Sequence, residues 1–306
     1  MLFTCKKLTI FEGCNGSGKT TAAIRYAEET NARLVHFNDL PRVGAGLARM
    51  YAEAMIPALL GYQDVVFDRC WLSEAPYGAV LREGTSRLTR ADCRMLERLA
   101  MKCGAVVVYC DPGWDEVMAN FIKSSHSRII YDVMKQMKII HNLYRIDKFD
   151  LPSITYDYTE MNYEILKTVD QHRYLRHPWS LNSAGNWKGE VLLIGDKFAN
   201  HKKQDLFYQW PFASFSDDGC SRWLTDELIN FQIRESRIAW VNADQPLEEI
   251  LKPERKLIIA FGDNAYDVVR PMCDSVVKIE HPQYWKRFKS DTYFPLYQQF
   301  KLKGVL

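Results

Sequence analysis

The residues best able to do chemistry lie between Gly13 and Thr21. Gly13-Cys14-Asn15-Gly16-Ser17-Gly18-Lys19-Thr20 fits the spacing G-x-x-x-x-G-K-[ST]. Glycines at 13, 16 and 18 let the backbone turn tightly enough for successive N–H groups to face one anion. A helix starting at the end of the loop adds the partial positive charge of its N-terminus. The anion that suits such a cradle is the phosphate chain of a nucleotide. Lys19 would reach the outer phosphates and the Thr20 hydroxyl would ligate Mg²⁺, while Asn15, Ser17 and Thr21 complete the loop. ATP and Mg²⁺ are the cofactors this implies. A second charged pair, Asp68-Arg69, closes a run that is otherwise apolar.

Strands and helices must carry these groups. Residues 8–11 read as a buried strand, and Ala22, Ala23, Ile24 and Tyr26 begin a helical pattern after the loop. Further strands are expected at 32–37, 64–69, 105–110 and 153–157. Helical patterning falls at 47–60, at 90–103, through 115–147 with an interruption at 124–127, and after the fifth strand to about 171. Strands alternating with helices imply a parallel sheet with helices on both faces. Ligands of such sheets bind outside the carboxyl ends of the strands, so Asp68-Arg69 is expected beside the phosphate loop.

At 306 residues the chain has room for two domains. The second half carries its own α/β pattern. Strands are expected at 189–196, 238–242, 256–262 and 276–282, with helices at 221–231 and 263–269, after a turn-rich linker at 173–188. It contains no second phosphate loop. A formal net charge of +2 rules out a bulk polyanion binder, so any nucleic-acid contact must come from a local patch. No apolar run approaches the roughly 18 residues of a membrane span, and residues 1–7 lack a signal peptide's apolar core. Eight scattered cysteines without a C-x-x-C pair suit a reducing cytosol, and the expected location is cytoplasmic.

Residues 1–172 resemble the thymidylate kinases. Phe11-Glu12-Gly13 leading into Gly18-Lys19-Thr20-Thr21 is similar to that family's opening, and Asp68-Arg69-Cys70-Trp71-Leu72-Ser73, with Ala75 and Tyr77, to its D-R-x-x-x-S motif. The resemblance implies that Arg69 holds acceptor-side phosphate, that Asp68 orients the acceptor or Mg²⁺, and that Ser73 belongs to the substrate site. It also implies a homodimer, since thymidylate kinases are commonly dimeric. Asn15 departs from the pattern: many members carry there an acidic residue that reads the free 3′-hydroxyl. A neutral side chain makes a blocked 3′-oxygen conceivable. A dense arginine lid is missing, with Lys123, Arg128, Lys135 and Lys138 as candidates, and Arg42 would replace the arginine near the substrate phosphate.

Residues 190–290 resemble the uracil-DNA glycosylase superfamily. Leu193-Ile194-Gly195-Asp196 through Asn200 is similar to its first motif, and Trp210-Pro211-Phe212 to the segment whose ring stacks on an extruded base. Val241-Asn242 falls where the family places its base-reading asparagine, Ala260-Phe261-Gly262-Asp263-Asn264-Ala265 resembles its L-G-x-x-A turn, and His281-Pro282 its H-P motif. Phe212, Asn242 and His281 are therefore the expected base-binding residues, because chemistry on a base in DNA needs it extruded and held by stacking and edge hydrogen bonds. Lys197, Lys202, Lys203 and residues 281–287 would meet phosphates. The first motif loses its proline-glycine turn at 197–200, leaving Asp196 or Asp205 to activate water.

The combination resembles the phage 5-hydroxymethyldeoxyuridine DNA kinases, members of the thymidylate kinase family, which implies an α/β kinase domain (1–172), a linker (173–188) and a smaller glycosylase-like α/β sandwich (189–306). The implied activity is ATP-dependent phosphorylation of a pyrimidine 5-hydroxymethyl group in DNA, in host cytoplasm if phage-encoded. Three other readings stay open. One is a deoxynucleoside monophosphate kinase acting on free nucleotide. Another is a DNA glycosylase or repair module with a regulatory nucleotide-binding half. The last is a nucleotide-gated DNA-binding protein.

Overall fold

Every residue of the first strand, Leu8–Glu12 (β1), is buried, as expected of a strand covered on both faces. In the computed structural model, which describes residues 3–37, 44–124, 131–146, 150–160, 163–197, 206–216, 219–289 and 294–306, β1 runs through the phosphate loop into α1 (Lys19–Thr30). Then follow β2 (Arg33–His36), α2 (Gly44–Leu59), β3 (Val65–Asp68), α3 (Glu74–Leu81), α4 (Arg90–Lys102) and β4 (Val106–Cys110). Helices α5 (Trp114–Ser124) and α6 (Tyr131–Ile146) precede β5 (Ser153–Tyr156) and the short α7 (Glu164–Lys167).

The first sheet is wholly parallel, in the order β2-β3-β1-β4-β5. Its register sets Phe11 opposite Asp68 on one side and Val108 on the other, and His36 opposite Asp68. The carboxyl ends of β1, β2 and β3 are therefore level. Val106 and Val108 pack with Ala23 and Tyr26 of α1, whereas Tyr109 packs with Val117, Ile140 and Tyr144 of α5 and α6. Neighbouring strand residues point to opposite faces, so helices cover both.

Two local differences from the sequence reading have physical causes. The helix expected to reach residue 171 shrinks to α7 and a 3₁₀ turn, Val169–His172. Upstream, Asp157 Oδ1 accepts from the Thr159 N–H at 2.8 Å and hydroxyl at 2.6 Å, a turn that competes with helix. Conversely, α3 forms across Pro76 and Gly78. Pro76 sits in its first turn, where a missing N–H leaves no bond unmade.

The second sheet is mixed. Ser183–Gly185 (β6), Val191–Gly195 (β7), Ile238–Asn242 (β8), Leu257–Phe261 (β9) and Val277–Ile279 (β10) adopt the order β10-β9-β7-β8-β6, with β6 alone antiparallel. Helices α8 (Cys220–Asn230), α9 (Glu248–Leu251), α10 (Asp263–Val269), α11 (Pro282–Phe288) and α12 (Leu296–Leu302) complete the half. Leu193 faces Leu224 and Phe300, and Leu192 and Ile194 face Leu247 and Val269, so this sheet too is covered twice. The segment read as a linker contributes β6, locked by the buried His177. Its two ring nitrogens pair with Ser183 Oγ and Gly185 O, each at 2.8 Å.

The chain divides into two compact units, but not at one point in the sequence. One comprises residues 6–89 and 104–173; the other comprises 1–5, 90–103 and 174–306. Helix α4 thus belongs with the second sheet. Its Lys102 ammonium donates to Leu181 O at 2.5 Å, and its Asp92 pairs with Arg222 at 2.7 Å. The amphipathic pattern of residues 90–103 predicts a helix; it carries no sign of which sheet that helix covers.

Candidate functional site

In the first unit, the loop after β1 is tightly turned and closely packed. Gly16 lies at φ +85°, and an added Cβ would stand 2.4 Å from Val117 O. Gly18, at φ +78°, starts α1 and lies under the Tyr158 ring, 2.8 Å from where a Cβ would be. The Ser17 hydroxyl is buried with no partner among the described residues. Lys19 is buried, and desolvation, reinforced by Arg69, lowers its pKa to about 8 against the attraction of Asp68 and Glu12. A buried ammonium held this way is stabilised by a bound anion. Thr20 and Thr21 are exposed at the start of α1.

The charged pair at the end of β3 sits against this loop. Arg69 donates through Nη2 to Asn15 Oδ1 at 2.8 Å, and its guanidinium lies 4.6 Å from the Tyr77 ring centre. Asn15 is held further by Tyr77, whose hydroxyl donates to Oδ1 at 3.2 Å and accepts from the Asn15 N–H at 3.1 Å. Among the described residues Arg69 forms no ion pair, so its charge is directed by neutral groups. Asp68 is 1% exposed. Its Oδ2 hydrogen-bonds His36 Nδ1 at 2.7 Å, while Oδ1 is buried without a partner among the described residues. A buried carboxylate oxygen left open in this way asks for a donor or a cation.

Glu12 behaves differently. It is fully buried and accepts from Cys70 N at 2.7 Å, Ser73 Oγ at 2.7 Å and Tyr144 OH at 3.0 Å. Desolvation raises its pKa against the pull of Arg69 and those hydrogen bonds. Glu12 therefore ties β1 to the turn after β3, and the Ser73 hydroxyl is shared between Glu12 and Tyr144. Sequence reasoning overlooked His36 and also Asp111, at the end of β4. Asp111 accepts from His141 Nε2 at 2.9 Å and Arg145 Nε at 3.0 Å; the His141 hydrogen bond, against desolvation, holds its pKa below the usual carboxylate value. The one signal for Asp111 was its place at a strand's carboxyl end.

Mg²⁺ prefers hard oxygen ligands and usually takes only one or two from protein, with phosphate and water supplying the rest. The Thr20 hydroxyl, on an exposed residue, and the buried, unpartnered Oδ1 of Asp68 are oxygens of that kind. Among the described residues no group of three or more His, Cys, Asp or Glu could hold a metal by itself. A cavity of about 840 Å³ flanks the loop, lined by Gly18, Lys19, Thr20, Arg25, Tyr158 and Tyr163. Arg25 covers the Tyr163 ring at 3.4 Å. Arg42 and Arg128 lie outside the described residues, and Lys138 rests 4.6 Å from the Trp114 ring centre.

In the second unit, Phe212, Asn242 and His281 line one cavity of about 420 Å³ together with Asp196, Tyr208 and Ser214. That volume falls in the range of small-ligand pockets. Gly195, ending β7, keeps the floor open: a Cβ there would stand 2.6 Å from Asn242 Oδ1 and 3.2 Å from the Phe212 ring. The Phe212 and His281 rings stack at 6.1 Å and 29°. His281 caps α11, its Nδ1 accepting from the Gln283 N–H at 3.1 Å. Burial lowers its pKa, so the neutral ring carries its proton on Nε2 and is a donor there. Ser214 Oγ is buried and, among the described residues, unpartnered. Asp196 accepts from Asn264 Nδ2 at 3.2 Å. Lys202, Lys203 and Asp205 lie outside the described residues.

Neither a protein-family model nor a curated protein matches the sequence. Solved structures similar to part of the chain include the YorR protein of Bacillus subtilis in complex with phosphorylated GDP, at 18% identity and TM-score 0.43, covering 55% of this chain and 100% of that one. A deoxyadenosine kinase from M. mycoides with dCMP and dCDP bound is similar at 13% identity and TM-score 0.33, over 53% and 96%. An unliganded sugar kinase from Janibacter sp. is similar at 14% identity and TM-score 0.29, over 55% and 95%.

Proposed function

We propose that this chain is an ATP- and Mg²⁺-dependent phosphotransferase whose donor phosphates lie on residues 13–21 and whose acceptor hydroxyl meets Asp68. The observation that carries the reading is the junction of the two motifs. Phe11 pairs with Asp68 in the sheet, and Arg69 is bonded to Asn15 of the loop at 2.8 Å. Phosphoryl transfer asks a protein chiefly for positioning and positive charge around the moving group. Lys19 and the loop amides hold the outer phosphates, and the Thr20 hydroxyl would hold Mg²⁺. Mg²⁺ held there would supply positive charge against the phosphates. Asp68 Oδ1 orients the acceptor hydroxyl, and Arg69 offsets charge on the transferring group.

The acceptor we propose is the 5-hydroxymethyl group of a pyrimidine in DNA. Support comes from the resemblance of both halves, from the neutral Asn15, and from the convergence of Phe212, Asn242 and His281 on one cavity. That cavity would hold a pyrimidine ring of the DNA that is the partner. Arg42 and a homodimer remain part of the same reading by resemblance. The test compares free dTMP with oligonucleotides carrying 5-hydroxymethyldeoxyuridine. The polymer is expected to be the better acceptor by kcat/KM, with Asn15→Asp moving the preference toward free nucleotide. Turnover of dTMP with none on the polymer would leave a monophosphate kinase.

A further inference from the structure

Phe212 is the one wall of the C-terminal cavity whose backbone is strained. Its φ of +49° puts a bulky side chain in the left-handed region, where non-glycine residues persist only if their surroundings over-determine them. One support is local, the Trp210–Ala213 turn closed by the Ala213 N–H on Trp210 O at 3.4 Å; a second comes from far away in the sequence. Arg98 of α4 is fully buried and donates through Nη1 to the Phe212 carbonyl. The rest of its guanidinium is fixed on every side. Nε reaches Glu235 Oε1 at 2.7 Å, and Nη2 reaches Glu235 Oε2 at 3.2 Å and Thr225 Oγ1 at 3.1 Å. The Trp240 ring centre lies 3.9 Å from Cζ, and the Trp240 Nε1–H donates to the same Glu235 at 2.6 Å.

A buried ion pair of this kind is a poor source of net stability, since well-packed apolar residues often serve as well. What a planar five-donor fork supplies is direction. With two donors on Glu235 and one on Thr225, Nη1 can point only at Phe212 O. The Phe212 ring is then laid over Gly195, against His281 and 5.4 Å from Trp240.

We propose that Arg98 is a positioning residue for the C-terminal cavity, holding Phe212 in the conformation that offers its ring to a bound planar ligand. This rests on the reading of that cavity as a pyrimidine-ring site. It means that a cavity otherwise built from residues after 195 is completed by a helix encoded between β3 and β4.

The experiment is a double-mutant cycle on the full chain. Binding of a short single-stranded oligonucleotide carrying 5-hydroxymethyldeoxyuridine is measured for wild type, Arg98→Lys, Phe212→Ala and the double variant. ATP binding at the phosphate loop is followed in parallel. Arg98→Lys keeps the buried charge and loses the fork. Removing a stacking ring costs about 5- to 150-fold in affinity. Phe212→Ala is expected in that range, Arg98→Lys is expected to lose most of the same factor, and the double variant no more than Phe212→Ala alone. ATP binding should not change. If Arg98→Lys does not fold, Thr225→Val removes one acceptor of the fork, leaves the ion pair, and should show the same non-additivity. Full affinity in Arg98→Lys beside a weakened Phe212→Ala, or losses that multiply, overturns the positioning role. Full affinity in Phe212→Ala overturns the cavity reading and the positioning role with it, while leaving phosphoryl transfer in the other unit untouched.

Discussion

Glu12 and Asp68 both lie at the carboxyl edge of the first sheet, and their partners assign them different work. Glu12 has both oxygens engaged by Cys70, Ser73 and Tyr144, whereas Asp68 Oδ1 is buried with no partner among the described residues. Asp68→Asn is therefore expected to lower kcat by about 10²-fold or more while ATP affinity changes little, because the group orients the acceptor. Initial rates alongside equilibrium ATP binding check this; an equal loss of ATP affinity would reassign Asp68 to the donor. Lys19→Met should instead remove ATP binding. Gly16→Ala should do the same at lower stability, since the new Cβ would meet Val117 O at 2.4 Å and strain at such a position costs roughly 1–3 kcal/mol. At this scale the loop was readable because its residues are contiguous. The pairs His36–Asp68 and Asp111–His141 were not, since the first meets only once β2 and β3 are in register and the second only once α6 packs on the sheet.

At the scale of elements, α4 carries the most instructive discrepancy. Its periodicity announced a helix, but chain order placed it with the first sheet, and packing places it with the second. The deciding side chains, Arg98 and Lys102, are charged and fully buried. Nothing in a sequence pattern marks a charged residue as interior before its partners are known. The same helix makes a pH prediction. Desolvation, against Arg94 and aided by Glu235, raises the Glu97 pKa to about 7 from an unfolded value of 4.5. A carboxyl shifted upward binds its proton more tightly in the folded state, so its contribution is fully present below about pH 4.5 and is lost as pH rises through about 7. Glu97→Gln should stabilise the protein at pH 8 by on the order of 3 kcal/mol, and hardly at all near pH 4.5. Urea denaturation at the two pH values checks this. A gain of equal size at both would exclude the ionisation as its source.

For the whole molecule, the consequence of interleaving is that the second unit is not a terminal domain that can be cut off. A fragment starting at residue 174 lacks residues 1–5, whose Cys5 N–H bonds His177 O at 2.8 Å, and lacks all of α4. It would leave Glu235 buried without its guanidinium, a loss worth roughly 3–5 kcal/mol. The fragment is expected to show no cooperative thermal unfolding by circular dichroism, and a sharp transition would contradict the division into units. Alternation of strands and helices made both sheets legible, down to the bounds of β8 and α10. The edge strand β6 was not, because Ser183-Ala184-Gly185 lies among turn formers and pairs only through the environment built by His177.

The central claim is that a phosphoryl group leaves the loop after β1 for a hydroxyl at Asp68. Its most direct measurement is mass spectrometry of nucleosides from 5-hydroxymethyluracil-containing DNA incubated with the protein, ATP and Mg²⁺. The account predicts a nucleoside heavier by one phosphoryl group, present with wild type and missing with Lys19→Met and Asp68→Asn. ATP bound at the loop, with no phosphorylated product on this DNA or on dTMP, would contradict it.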